Sequence, residues 1–264
     1  MSKQQISFFA AIIFLIANFA IVALVADNHN LTNISWVLYV LGFASTFILQ
    51  KQIARDFTLI YVGLAIIKIA PISTKLDNAS CAYMGIALMA SLVIPRLVSK
   101  FVYKEPFPIL PSNNYKFLSL KTLGLVVFGI IAAAIVLPFY YSNTGAYSNW
   151  YITNETEILL KLLFGVILVG IWDELFFINT VYRLLRRHMG YLLACLLQAI
   201  LFASVLYELG FTSWGYFMIF IFAFIQGSIF ERTRSMPLLI TLHVLVDVVL
   251  FVALVEAAIP GMLL

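Results

Sequence analysis

Long apolar segments recur along the whole chain and are separated by short stretches that contain most of the charged residues. Nine segments are long enough to cross a bilayer, because about 20 helical residues cover a hydrocarbon core of ~30 Å. Their apolar character is continuous rather than alternating, which favours membrane-spanning helices over a β-barrel. The sequence therefore predicts an all-α, polytopic membrane protein with about eight or nine transmembrane helices. The predicted spans are residues 6–26, 34–50, 57–73, 81–98, 120–141, 157–183, 191–208, 212–230 and 237–258.

A proline-rich stretch divides the predicted helices into two groups. The segment EPFPILPSNNY (105–115) holds three of the eight prolines, and proline favours extended or turn backbone. We expect a linker over residues 105–117 that runs along the cytoplasmic surface. It separates N-terminal transmembrane helices (1–104) from a C-terminal core (118–264).

Composition supports an integral membrane protein. Of the 264 residues, 63% are hydrophobic and 11% are charged, whereas a soluble domain would carry roughly a quarter charged residues. No basic run with interleaved aromatic residues suggests a nucleic-acid surface. Cys81 and Cys195 lie in or beside apolar segments without metal-ligand spacing, which is typical of buried thiols. The expected partner of the chain is therefore the lipid bilayer, and no nucleic-acid partner is expected.

Lysine and arginine residues are concentrated in alternate loops between the predicted spans. The other loops are nearly free of them: 27–33, 142–156 and 209–211 contain none, and 74–80 contains only Lys75. Cytoplasmic loops are enriched in Lys and Arg, so this pattern predicts a cytoplasmic N-terminus and, with nine spans, an external C-terminus. The basic residues assigned to the cytoplasmic side are Lys3, Lys51, Arg55, Arg96, Lys100, Lys104, Lys116, Lys121, Arg183, Arg186, Arg187, Arg232 and Arg234.

Ionisable residues at membrane depth are concentrated in the C-terminal half, where each is costly unless it is paired or solvated. Asp173 and Glu174 interrupt the sixth predicted span, and His243 and Asp247 lie in the ninth. With a rise of about 1.5 Å per residue, Asp173 lies about 15 Å from the cytoplasmic end of its helix, taken at Arg183. His243 and Asp247 lie roughly 9 and 15 Å from the cytoplasmic end of theirs. The two pairs are therefore expected to share one site.

The four side chains are compatible with three kinds of function. His243 and Asp247 are four residues apart and share a helix face, whereas the adjacent Asp173 and Glu174 point about 100° apart. A carboxylate near a histidine in a low-dielectric pocket can activate water for hydrolysis of a peptide bond. The same groups can relay a proton or cation, or can simply tie two helices together. The residues alone leave these three interpretations open.

Three stretches carry these groups in chain order: DELFFI (173–178), FASVL (202–206) and HVLVD (243–247). Together they resemble the motifs E-E-x-x-x-R, F-x-x-x-H and H-x-x-x-N/D of the CPBP family. That family comprises CAAX proteases and bacteriocin-processing enzymes and is also called Abi. The resemblance covers roughly residues 118–257.

The resemblance implies an intramembrane endopeptidase that acts on a membrane-associated peptide or protein, including prenylated ones. Asp173 would be the water-activating carboxylate, Glu174 its partner, and His243 and Asp247 the polar pair of the third motif. Such enzymes are usually classed as metalloproteases. A divalent metal such as zinc is therefore a candidate cofactor, with His243 and Glu174 as its best candidate ligands. The expected location is a bacterial plasma membrane.

Three positions depart from the motifs. Asp173 stands where the first glutamate is expected, Ile178 where the arginine is expected, and Leu206 where the second-motif histidine is expected. Because of these departures, a catalytically inactive membrane scaffold or regulator is an alternative, and a small transporter is a third hypothesis.

Two residues are candidates to compensate for the departures. Arg183 lies further along the same helix as Ile178 and has a side chain long enough to reach back. Glu208 lies two residues beyond Leu206, and we expect it to enter the site only if its helix unwinds near Gly210. Phe202, Leu206 and Glu208 are therefore the candidate second-motif positions.

Overall fold

The computed structural model of the chain describes residues 29–47, 49, 51–70, 74–105, 107 and 119–263. Within these ranges the chain is helical and contains no β-strand, which confirms the predicted all-α class. The first predicted span (6–26) and nearly all of the predicted linker (105–117) lie outside the described residues.

The α-helices of the described chain follow one another with short connections. A π-helical segment, Glu174–Tyr182, joins α5 to α6 in one continuous helix, and a shorter π turn, Val98–Val102, extends α3. The helices are α1 (His29–Thr46), α2 (Lys51–Ile69), α3 (Asn78–Leu97), α4 (Leu120–Thr144), α5 (Thr156–Asp173), α6 (Arg183–Arg186), α7 (Tyr191–Glu208), α8 (Gly215–Thr233) and α9 (Met236–Ala258).

Three helical stretches of the described chain are long and apolar enough to cross a membrane: Asn78–Val102, Leu120–Thr144 and Met236–Ala258. Tyr191–Tyr207 is apolar as well but shorter. These helices, together with the composition, support an integral membrane protein. The count of eight or nine spans and the orientation stay predictions.

Capping side chains mark the ends of two long helices. At the start of α3, the Asp77 carboxylate accepts hydrogen bonds from the Ser80 backbone N–H (2.9 Å) and hydroxyl (2.7 Å). Ser119 caps α4 in the same way by accepting from the Thr122 N–H at 3.2 Å. Gly145 ends α4 with a φ of 65°, in the left-handed region that favours glycine. These residues satisfy backbone groups that a helix end leaves unpaired.

Two predicted spans are wrong at both ends. The second (34–50) and third (57–73) correspond to α1 and α2, which begin and end four to six residues earlier. The predicted spans leave residues 51–56 between two helices, but these residues form the start of α2 and one of their charges is buried. Asp56 lies 2.9 Å from Nε2 of His188 and accepts hydrogen bonds from Arg187 at 3.1 and 3.2 Å. Ion pairs with residues of another part of the chain therefore stabilise the charge of Asp56 inside a helix, where the apolar pattern alone would not place it.

The eighth predicted span (212–230) is displaced by three residues, because α8 runs from Gly215 to Thr233. The Thr212 carbonyl accepts a hydrogen bond from the Tyr140 hydroxyl at 2.8 Å, which holds Thr212 in a loop. The remaining predicted spans in the described chain agree with their helices to within three residues at each end.

The N-terminal helices pack directly against the helix that carries the first motif. The Trp172 indole N–H lies 3.0 Å from both the Leu88 carbonyl and the Ser91 hydroxyl of α3. Gly63 of α2 meets the ring of Phe176 so closely that a Cβ there would lie 2.6 Å from Cε2. Both contacts hold the junction between α5 and the π segment, where the two adjacent carboxylates lie.

Candidate active site

The first-motif carboxylates lie where the helix changes from α to π geometry. Asp173 is the last residue of α5, and Glu174 is the first of the π segment. The wider turn is visible at Arg183, whose N–H bonds to the Ile178 carbonyl five residues earlier. The Thr180 hydroxyl also donates to the carbonyl five residues before it, at 3.0 Å. Such π turns in helices are frequently found at functional sites.

Glu174 is completely buried and contacts His243 on the side of the ring that faces away from the cavity. Its Oε1 atom lies 2.8 Å from Nδ1 of His243 and accepts a hydrogen bond from the Gln226 amide at 2.9 Å. One carboxylate oxygen therefore joins three helical elements: the π segment, α8 and α9. A fixed ring orientation for His243 follows from this contact.

The other ring nitrogen of His243 faces the two aspartates. Its Nε2 atom lies 3.9 Å from Oδ2 of Asp173 and 3.8 Å from Oδ1 of Asp247. Both distances exceed a direct hydrogen bond, and a water molecule in contact with both atoms of either pair would connect them. The sequence-predicted residues Asp173, Glu174, His243 and Asp247 are thus brought together around one imidazole.

Several oxygen atoms of this cluster have no partner within the described part of the chain. They are Oδ1 of Asp173, Oε2 of Glu174 and Oδ2 of Asp247, and all three side chains are at least nine-tenths buried. Each buried polar atom without a hydrogen bond costs about 1–3 kcal/mol. Unpaired acceptors that share a site with a histidine are consistent with a place for water or for the donors of a substrate.

The close approach of α5 to α9 depends on Gly170. A Cβ at this position would lie 1.9 Å from Oδ2 of Asp247 and 3.1 Å from Cδ2 of His243. Any other residue would force these two side chains away from α5. Gly170 lies one turn before Asp173, so it opens the space in which the cluster assembles.

An apolar cavity of about 880 Å³ has the cluster in its wall. Asp173, His243, Asp247 and Gln226 line it, whereas Glu174 lies behind the wall. The helices α3, α4, α5, α8 and α9 provide most of the lining. Volumes of this size are typical of sites for small molecules or peptide segments.

A second group of charged residues lies at the other end of the cavity. Lys161 lines this end and is about 18 Å from Asp173 along α5, from the helical rise. Its ammonium group lies 2.6 Å from the Glu157 carboxylate. The cavity therefore connects a charged rim with the buried cluster through apolar walls.

The three second-motif positions, Phe202, Leu206 and Glu208, differ in their relation to the cluster. The ring of Phe202 lies 6.1 Å from the His243 ring, and Leu206 lines the cavity. An apolar residue thus occupies the cavity wall where the family motif has a histidine. The helix α7 continues through Glu208, so it does not unwind before that residue, and the side chain of Glu208 lies outside the described atoms.

Ile178, at the motif arginine position, is buried. Arg183 reaches back by one turn and donates to Oδ1 of Asn179 at 2.7 Å. It makes no hydrogen bond to the unpaired oxygens of Asp173 and Glu174.

Gln226 is a member of the cluster that the sequence analysis did not assign to it. With a rise of about 1.5 Å per residue, Gln226 lies about 9 Å from Arg232, near the predicted cytoplasmic end of α8. That is the depth calculated for His243. A buried amide in an apolar segment, at matching depth, was the signal that could have found it.

The described residues do not fit the predicted metal site. No group of three or more His, Cys, Asp and Glu side chains among them is arranged to hold a metal ion. The two candidate ligands, His243 and Glu174, are bonded to each other at 2.8 Å. A zinc site needs about three protein ligands aimed at one point, and these two side chains do not provide it.

Comparison with known proteins supports the motif-based resemblance. The family model described as Rce1-like, type II CAAX prenyl endopeptidase, matches residues 155–249. Residues 155–249 are similar to this family. The match includes Asp173, Glu174, His243 and Asp247, and it confirms the resemblance to the CPBP family. No curated protein and no solved structure matches the chain.

Proposed function

We propose that this Rce1-like protein is an intramembrane endopeptidase that hydrolyses a peptide bond of a membrane-associated substrate. The observation that carries the proposal is the convergence of Asp173, Asp247 and Nε2 of His243 on the wall of one apolar cavity. A carboxylate and an imidazole that can share a water are the groups that general acid–base hydrolysis needs.

The geometry suggests how the reaction proceeds. A water held between Asp173 and Nε2 of His243 attacks the peptide carbonyl carbon and transfers a proton to Asp173. The carbon–nitrogen bond then breaks, and the leaving nitrogen receives that proton, so that a carboxylic acid and an amine are formed. Asp247 lies 3.8 Å from Nε2 on the same cavity wall, so its carboxylate adds a second hydrogen-bond acceptor beside the water.

The apolar walls are suited to a substrate that is itself membrane-embedded or lipidated. A peptide attached to an apolar group would place that group along the walls and its polar amide at the cluster. This orientation excludes bulk water from the reacting bond, which strengthens the electrostatic interactions there.

A second function is favoured by one specific observation. Leu206 lines the cavity and Ile178 is buried where the family motifs have a histidine and an arginine. Both replacements remove groups that a hydrolase of this family would use. A protein that binds membrane peptides without cleaving them is therefore the competing function.

Purified protein in proteoliposomes separates the two functions. The substrate is a peptide with a prenylated cysteine near its C-terminus, and the same peptide without the prenyl group is the control. A peptidase releases a shortened peptide that mass spectrometry identifies. Stable binding of the prenylated peptide, with all of it recovered intact, would contradict the peptidase and support the binding protein.

Cys81 offers a test of the cavity as the substrate path. This free thiol is half-buried in the first turn of α3 and lines the cavity, whereas Cys195 is fully buried in α7. Alkylation of Cys81 with a maleimide is expected to lower peptide cleavage in proportion to the labelled fraction, because the adduct fills part of the cavity. Mass spectrometry measures the labelling, and the peptide assay measures the rate.

The Cys81→Ser variant is the matched control, since it should cleave normally and resist the maleimide. Full labelling of the unsubstituted protein without any loss of rate would contradict the proposed path. A membrane-impermeant maleimide also tests orientation, because a cytoplasmic N-terminus places the first turn of α3 on the external side. Labelling only after the membrane is permeabilised would reverse that assignment.

A further inference from the structure

Helix α8 contributes a polar side chain to the site although none of the three motifs lies on it. Gln226 is 1% exposed, and its Nε2 atom donates to Oε1 of Glu174 at 2.9 Å. The same oxygen lies 2.8 Å from Nδ1 of His243. Oε2 of Glu174 has no partner among the described residues, so every hydrogen bond of this carboxylate goes through one oxygen.

The contact with Glu174 bears on the tautomer of His243, that is, on which of its two ring nitrogens carries the proton. An ionised carboxylate only accepts hydrogen bonds, and an amide nitrogen only donates them. When Glu174 is ionised, its Oε1 atom accepts from both neighbours, and Nδ1 of His243 then carries the proton that lies between them. Nε2 is left as the nitrogen that exchanges protons with the cavity, where it faces Asp173 and Asp247.

We infer that Gln226 is a positioning residue that holds Glu174 against His243 and thereby selects the histidine tautomer with Nε2 directed at the reacting water. Without its amide, Glu174 keeps a single hydrogen bond in a buried site and is free to rotate toward other donors. The ring of His243 then loses the acceptor that fixes it. The kinetic test of this inference rests on the proposed peptidase function, whereas the tautomer of His243 can be tested without it.

Two substitutions change the amide without changing its size much. Gln226→Met removes the donor, and kcat is expected to fall about ten- to a hundredfold, the usual effect of losing a partner that orients a functional histidine. KM should stay within about twofold of the wild-type value, because the substrate loses no contact. A large rise in KM with kcat unchanged would instead make Gln226 a substrate-binding residue and would overturn the inference.

Gln226→Glu adds a readout that a merely structural role would not produce. The new carboxyl group lies against the Glu174 carboxylate, so it can imitate the amide only when it carries a proton. Its activity relative to the wild type is expected to recover as the pH is lowered, which moves the pH optimum to more acidic values. An unshifted pH profile would contradict the inference.

Gln198 provides a matched control on the neighbouring helix α7. It is equally buried, and neither its Nε2 nor its Oε1 atom has a hydrogen-bond partner among the described residues. Gln198→Met removes the same chemical group from the same kind of environment. Its kcat and pH profile should match the wild type, and a loss equal to that of Gln226→Met would show a general packing effect and overturn the inference.

The tautomer of His243 can be measured without any substrate. The chain contains three histidines, so selective ¹⁵N-histidine labelling and comparison with His243→Gln identify its ring nitrogens in NMR spectra. At a pH at which the ring is neutral, the wild type is expected to carry its proton on Nδ1, and Gln226→Met should show a mixture of tautomers. A proton on Nε2 in the wild type would overturn the inference. Because this result does not depend on turnover, it separates failure of the inference from failure of the peptidase proposal.

Discussion

Asp173→Asn is expected to lower the turnover of a membrane-anchored peptide by a factor of about 10²–10⁴, the contribution typical of a general base. Asparagine has nearly the same size as aspartate but cannot take a proton from water. The substitution also replaces a buried carboxylate, one of whose oxygens is unpaired, by a neutral amide that is less costly to bury. The melting temperature should therefore stay the same or rise while activity is lost.

Opposite effects on activity and stability distinguish a catalytic aspartate from a structural one. Glu157→Gln is the matched control, because Glu157 is an exposed carboxylate that lines the same cavity and whose ion pair within the described residues is with Lys161. It should cleave at nearly the wild-type rate, since an exposed ion pair contributes little. A folded Asp173→Asn protein with undiminished turnover would remove Asp173 from the proposed mechanism.

Gly170→Ala is expected to damage both the fold and the site. The added methyl group would lie 1.9 Å from Oδ2 of Asp247, so either Asp247 rotates away or α9 moves outward. Overpacking of this kind costs about 1–3 kcal/mol, and a displacement of about 1 Å at a reacting group can cost roughly 10²-fold in rate. Thermal unfolding in detergent and the peptide assay measure the two effects.

Gly165→Ala on the same helix provides the comparison. Gly165 also lines the cavity, but a Cβ there meets nothing within 4 Å. Alanine in place of glycine inside a helix stabilises it by up to about 1 kcal/mol, so this variant should be at least as stable as the wild type and active. If the two alanine variants had the same melting temperature and rate, the close approach of α5 to α9 would not matter for the site.

The meeting of Asp173, His243 and Asp247 could be predicted because helix geometry is regular. Depth in a membrane follows from the rise per residue, and charges in apolar segments are easily recognised. The sequence also places the ends of α7 and α9 to within one residue. These features depend on the local pattern of apolar residues and on regular helix geometry, and both can be read from one sequence.

Other features could not be predicted because they depend on tertiary packing. The π segment that begins at Glu174 has no marker in DELFFI, and the close approach of α9 to Gly170 depends on packing between helices. The helical start of α2 could not be predicted, since the partners that pair with buried Asp56 lie more than 130 residues away in the sequence. Gln226 is a buried polar residue of an apolar segment, but its contact with Glu174 could not be predicted because none of the three motifs lies on α8.

If the cluster around His243 hydrolyses a peptide bond, one oxygen atom of water enters the new carboxylate of the product. The purified protein is incubated in proteoliposomes with the prenylated peptide in ¹⁸O-water, and mass spectrometry examines the new C-terminus. We expect wild-type protein to give a product whose new carboxylate carries one heavy oxygen, and Asp173→Asn to give none above background. Recovery of only intact peptide from folded wild-type protein, or equal labelled product from Asp173→Asn, would contradict hydrolysis by this cluster.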